Sequence, residues 1–244
     1  MDTSAQKAAS TASRSRKTAK AQASAGAFAE PEKSLAAQAY EAVLDMIMSG
    51  EAKPGAFFTE RRLAEQLAMS RTPLRDALLI LESEGLIVRL GARGVQVATM
   101  RIEEFAENLG VRRLLEPEAA RIAAGRVAPE LLVTLRARFE ALLAHSQAGE
   151  TPDRTEVRGA DDMLHSAIAD AAGNSRLAAI VRNLRRQTLM FDLRSLPERF
   201  TDTCREHLAI VQALAESDGE KAAQAMRDHL DAVRASIVAR LARL

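Results

Sequence analysis

The feature that most constrains how this chain can fold is a pair of short amphipathic segments between residues 63 and 86. Apolar residues recur at helical spacing in both segments. Ser70 precedes the second segment as a natural N-cap, and Pro73 falls in its first turn, where a missing N–H costs little. The sequence therefore predicts two helices joined by a tight turn. Their apolar residues are Leu63, Ala64 and Leu67 in the first, and Leu74, Ala77, Leu78 and Leu81 in the second.

Three polar residues, Arg71, Thr72 and Arg75, lie at or near the start of the second predicted helix, opposite its leucine stripe. In a helix-turn-helix, this end of the second helix meets base edges in the major groove of DNA. An ordinary helical hairpin with a solvated basic face would show the same pattern. The stretch alone therefore favours DNA binding but leaves the plainer interpretation open.

A pattern rich in β-forming residues follows Gly85. Residues 86–90 and 95–97 form two short runs joined by residues 91–94, which predicts a hairpin. A hairpin that directly follows a DNA-reading helix is a wing. Arg93, at the tip of this hairpin, could contact phosphate or enter the minor groove.

From Glu103 onward the sequence shows no strand pattern and consists of successive amphipathic segments. Aromatic residues make up only 3% of the chain, so its cores must be built from aliphatic residues, a bias that favours helices. The expected fold class is mainly α, with an N-terminal winged helix-turn-helix and a C-terminal all-α bundle of six or seven helices. Pro117 is expected to kink the first helix of the bundle. The predicted helices of the bundle span residues 102–126, 129–147, 154–172, 175–194, 198–216 and 219–242.

Composition divides the chain into segments. Residues 1–33 contain Ala, Ser, Thr and basic residues with almost no large apolar side chain, which predicts a disordered basic tail. Residues 34–98 form the predicted winged domain, 99–102 a linker, and 103–244 the helical domain. The single cysteine, Cys204, allows no internal disulfide, and no apolar run approaches the length of a membrane span. We therefore expect a cytoplasmic protein that does not interact with a membrane.

Three of the four histidines lie on separate predicted helices of the bundle. Asp161 and His165 are spaced i, i+4, so their side chains share one helix face. His207 and His229 lie on two later helices among apolar neighbours. If these groups converged, they would form a site for Zn²⁺, Ni²⁺ or Mn²⁺. Separately hydrogen-bonded histidines are the competing interpretation, and spacing alone does not decide between the two.

A specific pattern, Ser-Arg-Thr-Pro-x-Arg, occupies residues 70–75, with Glu-Arg at 60–61 before it and Arg-Gly at 93–94 after it. With this pattern, residues 40–98 resemble the winged helix-turn-helix of GntR-family transcriptional regulators. Ala68 departs from the family, which usually has glycine in the turn between the two helices. The resemblance implies that DNA is contacted, directly or through the backbone and wing, by Arg61, Ser70, Arg71, Thr72, Arg75 and Gly94.

The bundle contains several further patterns: Arg-x-x-x-Glu at 112–116, Asp-x-x-x-His at 161–165, Gly-Asn at 173–174, Glu-His at 206–207 and Met-x-x-His at 226–229. With them, residues 103–244 resemble the FCD ligand-binding domain of the FadR subfamily of GntR regulators. Many such domains hold a divalent metal through one aspartate and three histidines. The resemblance therefore implies that Zn²⁺, Ni²⁺ or Mn²⁺ is bound by Asp161, His165, His207 and His229.

The same resemblance implies that a small organic acid binds beside the metal. Arg112 occupies the family's arginine position and is the expected anchor for the effector carboxylate, although it could instead pair with Glu116 one turn away. Asn174 is a second expected effector contact, but capping of the next helix is a simpler role for its side chain. A later helix carries a basic face expected to be solvated or interfacial, from which one residue could reach an anionic ligand: Arg182, Arg185, Arg186 and Arg194.

Together these features predict a ligand-responsive transcriptional regulator that is not an enzyme. A homodimer would read a palindromic double-stranded operator, and the effector would change its affinity for DNA, with relief of repression of a metabolic operon as the expected outcome. Two alternatives stay open on the sequence. The bundle could be a metal-dependent hydrolytic enzyme fused to a DNA-binding domain, or the metal could be purely structural and hold three helices together.

Overall fold

The computed structural model of the chain describes residues 34–150, 153–191 and 199–241. The predicted tail, residues 1–33, lies outside the described residues, and so does Arg194 of the predicted basic face. The described chain contains nine α-helices and one three-stranded sheet. The prediction of a mainly α-helical protein with a small winged sheet is therefore confirmed.

The N-terminal part of the described chain is the predicted winged helix-turn-helix. Its elements in chain order are α1 (Leu35–Ser49), β1 (Phe57–Phe58), α2 (Glu60–Gln66), α3 (Arg71–Ser83), β2 (Ile87–Arg89) and β3 (Val95–Val97). The strands form one antiparallel sheet in the order β1-β3-β2, and a short 3₁₀ turn joins β2 to β3. Helix α3, called the reading helix below, is thus followed directly by the wing.

The reading helix is stabilised by packing of its apolar face more than by capping of its first turn. The Thr59 side-chain oxygen accepts a hydrogen bond from the backbone N–H of Arg62 and caps α2. Ser70 stands at the N-cap position of α3, as predicted, but its side chain makes no capping hydrogen bond. Helix α3 instead buries its apolar face, on which Leu74 and Leu78 are fully buried.

The C-terminal part of the described chain is a bundle of six helices, within the predicted range. In chain order they are α4 (Ile102–Ala123), α5 (Pro129–Gln147), α6 (Arg154–Ala171), α7 (Ser175–Phe191), α8 (Phe200–Ala215) and α9 (Gly219–Leu241). Pro117 lies inside α4, which continues on both sides of it. Across the described ranges, none of the helices is both long and apolar enough to span a membrane.

Each part has its own hydrophobic core. The bundle core contains Phe139, Leu164 and many smaller aliphatic residues from all its helices except α7. The winged core is built from residues such as Leu78 and Leu86. Met190, near the end of α7, is buried in the winged core and not in the bundle core. Helix α7 therefore starts in the bundle and ends against the winged part.

Candidate metal centre and DNA-reading surface

Three buried histidines from three different helices meet inside the bundle. Helix α6 supplies His165, α8 supplies His207 and α9 supplies His229, and all three side chains are almost completely buried. One nitrogen of each ring lies within 4.8 Å of the other two. The ring centroids are 4.6 to 5.6 Å apart. The structure therefore brings together the three histidines that the sequence placed on separate helices.

Neighbouring carboxylates determine which nitrogen is free in two of these rings. His165 Nδ1 donates a hydrogen bond to Glu116, and His229 Nδ1 donates one of 2.9 Å to Glu206. Because a carboxylate can only accept, each neutral ring carries its hydrogen on Nδ1 and its lone pair on Nε2. Among the described residues, His165 Nε2 and His207 Nε2 are buried without a hydrogen-bond partner. Both atoms are available to a ligand.

Asp161 lies beside the histidines and has both oxygens oriented. Its Oδ1 is 3.3 Å from His207 Nε2 and 3.8 Å from His165 Nε2. Its Oδ2 accepts a hydrogen bond of 2.6 Å from Arg185 Nη2. One oxygen therefore faces the histidine nitrogens while the arginine holds the other. Outer hydrogen bonds of this kind orient the ligands of protein metal sites.

Two carboxylates and two guanidiniums balance the charge of the site. Burial by itself would raise the pKa of Glu116, but the charge of the Arg112 guanidinium and the hydrogen bond from His165 outweigh it and lower that pKa. Burial acts in the same direction on Asp161, and the Arg185 guanidinium outweighs it, so the pKa of Asp161 is also lowered. Both carboxylates are therefore ionised at neutral pH.

Two of the histidines, His165 and His207, are in the form that binds metal ions. Burial lowers the pKa of His165 to about 4 and lowers that of His207 well below its ordinary value. These rings are neutral at pH 7, with lone pairs free to coordinate. Three imidazole nitrogens and one carboxylate oxygen form a donor set suited to a first-row divalent metal, and the two orphaned Nε2 atoms fit such an ion.

The two residues expected to contact the effector lie in different surroundings. Arg112 is 6% exposed, and its Nε donates to Glu116 at 2.6 Å, so the pair that the sequence allowed is formed. Because Glu116 also accepts the hydrogen bond from His165, Arg112 stabilises the histidine cluster indirectly, through Glu116. Asn174 is exposed, and its Oδ1 accepts two backbone N–H groups of the first turn of α7. Its side chain caps α7, an arrangement that gives no support to an effector role.

Arg185 is a buried cation of the histidine site that the sequence pattern grouped with a solvated or interfacial basic face. Its side chain is 3% exposed, and its Nε has no hydrogen-bond partner within the part of the chain that is described. A signal for this burial was present, because Arg185 follows Ala178 and Val181 at helical spacing and both are buried. The arginines around it obscured that apolar stripe in the sequence.

The residues expected to meet DNA are exposed at the start of the reading helix. Arg71 and Thr72 are exposed in its first turn, and Ser70 is exposed immediately before it. Arg75 Nε donates to Glu60 at 2.7 Å, while the Arg75 side chain stays 59% exposed. Arg75 is therefore held in one orientation without being covered.

The remaining expected DNA contacts lie on α2 and the wing. Arg61 on α2 is exposed and pairs with Glu65 at 3.3 Å. Arg93 is exposed in the turn of the wing. Gly94 is buried at φ +132°, and a Cβ there would lie 2.3 Å from the backbone oxygen of Phe58. Gly94 thus permits the close approach of β1 to the wing and presents no surface of its own.

Family profiles match both parts of the chain. Residues 35–97 match the profile of bacterial regulatory proteins of the gntR family. Residues 107–232 match the profile of the FCD domain. The FCD match alone covers 126 of the 244 residues.

Similar proteins are regulators of transcription. The Glc operon transcriptional activator of Escherichia coli K12 is 28% identical over 221 residues, covering 81% of this chain and 86% of that protein. The HTH-type transcriptional repressor RspR of the same strain is 26% identical over 189 residues, covering 75% and 80%. The solved structure of E. coli McbR/YncC has a TM-score of 0.73 at 23% identity and covers 86% of this chain and 99% of that one. The structural likeness shows a shared fold.

Proposed function

Because the chain belongs to the gntR family of bacterial regulatory proteins and carries an FCD domain, we propose that it is a ligand-responsive repressor that binds its operator as a homodimer. Like these relatives, it is a transcriptional regulator and not an enzyme. The hydrolase alternative is therefore set aside. One relative is named as an activator and another as a repressor, so repression by this chain is part of what we propose.

The histidine cluster is the observation that carries the ligand-responsive part. Buried nitrogens without partners, such as His165 Nε2 and His207 Nε2, are costly unless something binds them. We infer that a divalent metal ion is held by Asp161, His165, His207 and His229. Imidazole ligands favour Zn²⁺ or Ni²⁺ over Mn²⁺, which prefers oxygen. When bound, the metal would supply a Lewis-acid centre whose coordination can expand from four ligands to five to admit a further ligand.

We expect the effector to be a small carboxylate. A divalent ion would leave excess positive charge in a site whose charged groups already balance, and an anion would compensate for it. A carboxylate in the site could also accept the hydrogen bond that Arg185 Nε lacks. Arg112 is already paired with Glu116, so Arg185 replaces it as the expected anchor of the effector.

The exposed arginines of the reading helix support the DNA-binding half of the proposal. Arg71 and Arg75 would contact base edges, since both are exposed in the first turns of a helix whose apolar face is buried. The exposed side chains of Arg61 and Arg93 would add phosphate contacts on either side. A two-fold dimer would place two such helices on a palindrome. Bacterial chromosomal DNA as the partner implies a cytoplasmic location.

The metal site is tested by calorimetry on the purified chain after treatment with a chelator. We expect saturable Zn²⁺ binding, and His207→Ala should weaken it by about tenfold or more because a ligand is removed. His145→Ala, which changes an exposed histidine on α5, is the matched control. Equal affinities of the His207 and His145 variants would contradict the assignment.

DNA reading is tested by selection from randomised double-stranded DNA, followed by gel shifts with the selected site. Arg71→Ala should abolish sequence-specific retardation at moderate salt while the variant stays folded. Specific retardation by that variant would show that the reading helix is wrongly assigned.

A second gel-shift experiment, with small carboxylic acids added to the complex of metal-loaded protein and operator, distinguishes a sensing metal from a purely structural one. A structural metal would raise the melting temperature, yet no acid would change operator affinity.

A further inference from the structure

Helix α7 contacts both the histidine site and the end of the reading helix. Inside the bundle, Arg185 Nη2 donates to Asp161 Oδ2 at 2.6 Å. The next residue, Arg186, reaches the winged part, where its Nη1 donates to the Tyr40 hydroxyl at 2.7 Å and lies 3.2 Å from both carboxylate oxygens of Glu84. Glu84 is the C-cap of α3. Two adjacent residues thus join two distant sites.

Two more residues of α7 strengthen this contact. Gln187 Nε2 donates to the backbone oxygen of Glu84 at 2.6 Å, and a Cβ on Gly85 would lie only 2.9 Å from the same nitrogen. Less than one turn later, Met190 is buried in the winged core. The contacts of Arg186, Gln187 and Met190 with the winged part are called the clasp below.

Further contacts of Tyr40 hold the Arg186 side chain against Glu84. The Tyr40 hydroxyl donates to Glu84 Oε2 at 2.6 Å, and the Arg186 guanidinium lies over the Tyr40 ring, 5.8 Å from its centroid. The side chains of Arg186 and Glu84 are 26% and 23% exposed, so water and salt screen their charges less than those of a surface pair. Because Arg185 and the clasp residues lie on the same helix, a displacement of the α7 backbone at Arg185 would also move the clasp.

The histidine cluster is wider than a coordinated metal requires. Ligand atoms around tetrahedral Zn²⁺ lie about 3.4 Å apart, given bonds of about 2.1 Å. The histidine nitrogens are up to 4.8 Å apart, and Asp161 Oδ1 is 3.8 Å from His165 Nε2. Binding of the ion must therefore draw Asp161 and the histidines together. Arg185, which is hydrogen-bonded to Asp161, would be displaced with it.

We propose that α7 couples the histidine site to the reading helix, with Arg185 responding to Asp161 and the clasp repositioning the end of α3. This coupling rests on the proposed metal site. It makes Arg185 and Arg186 positioning residues with different roles. Arg185 responds to the state of the site, and Arg186 carries that response to Glu84.

The coupling is tested by hydrogen–deuterium exchange of the full chain, first stripped with chelator and then saturated with Zn²⁺. In the wild type, Zn²⁺ should change amide exchange in the bundle and also, by about fivefold or more, in residues 83–90. Arg186→Met should keep the change in the bundle and lose the change in residues 83–90. Arg182→Met makes the same chemical change one turn earlier, where the arginine pairs with Asp170 within the bundle, and should behave like the wild type.

Each outcome decides between the coupling and the metal site. If Zn²⁺ changes exchange in the bundle but not in residues 83–90 of the wild type, the coupling is wrong and the metal site stands. If Arg186→Met keeps the full response, the clasp is not the route. If calorimetry shows no Zn²⁺ binding by the wild type, both proposals fail. Tyr40→Phe removes only the hydroxyl between Arg186 and Glu84, and we expect it to lose part of the Zn²⁺-dependent change in residues 83–90. This variant tests the clasp if Arg186→Met does not fold.

Discussion

At the scale of single residues, Glu116 connects the charge of Arg112 to the orientation of a buried imidazole. The Glu116 side chain is almost completely buried, with one oxygen paired to Arg112 and the other to His165 Nδ1. An isolated ionised carboxylate would be costly in this interior, and the guanidinium makes it tolerable. Arg112 therefore permits the charge that orients His165.

Replacement of Glu116 by glutamine should weaken metal binding without removing a ligand. The amide keeps the size of the side chain but can no longer fix the hydrogen of His165 on Nδ1 by charge. We expect Glu116→Gln to lower Zn²⁺ affinity by about 10- to 100-fold, measured by calorimetry. Glu118→Gln, on the surface of the same helix beside Arg121, should leave the affinity unchanged. Equal affinities of the two variants would mean that Glu116 does not orient the ring.

Ala68 is strained, and glycine at this position should stabilise the protein. The turn before the reading helix puts Ala68 at φ +51°, where its Cβ is unfavourable. This is the position at which the family resemblance predicts glycine. Ala68→Gly should raise the free energy of unfolding in urea by about 1 kcal/mol. Ala148→Gly, at a helix end with φ −74°, should bring no gain, and equal effects would argue against strain.

At the scale of elements, long segments with a regular residue pattern could be predicted from the sequence, and very short ones could not. Helix α5 was predicted over residues 129–147 and is observed over the same residues, because proline begins it and a glycine follows its end. Strand β1 was not predicted. It has two residues, Phe57 and Phe58, and exists through pairing with Gln96 and Val95, which are distant in the chain. No local pattern encodes such a pairing.

The wing requires glycine at residue 94. At φ +132°, an alanine Cβ would lie 2.3 Å from the Phe58 backbone oxygen, and neither backbone can move without breaking the pairing of β1 with β3. Gly94→Ala should lower the free energy of unfolding by about 3 kcal/mol and weaken operator binding. Gly91→Ala, at φ +60° with no atom near the added Cβ, should cost only about 1 kcal/mol. Urea unfolding of both variants compares them, and similar losses would contradict the clash.

At the scale of the whole molecule, the site depends on which helices meet. The spacing of Asp161 and His165 could be read from the sequence, because both lie on one helix. The meeting of α6, α8 and α9 could not, since it depends on packing across the bundle. The family resemblance supplied that part of the prediction. Nothing in the sequence indicated that Arg185 would pair with Asp161 while Arg186 held the end of the reading helix.

The buried, neutral ring of His165 should make the metal-free molecule sensitive to mild acid. Burial lowers the pKa of His165 to about 4, whereas the unfolded chain titrates near about 6.5, so the unfolded state binds more protons between these values. Stability must then fall as the pH falls, by about 2 kcal/mol between pH 7 and pH 5. Urea unfolding of chelator-treated protein measures this slope. His165→Gln should reduce it, and the exposed-site control His145→Gln should not. A free energy of unfolding that is constant over this range would mean that His165 can be protonated in the folded state.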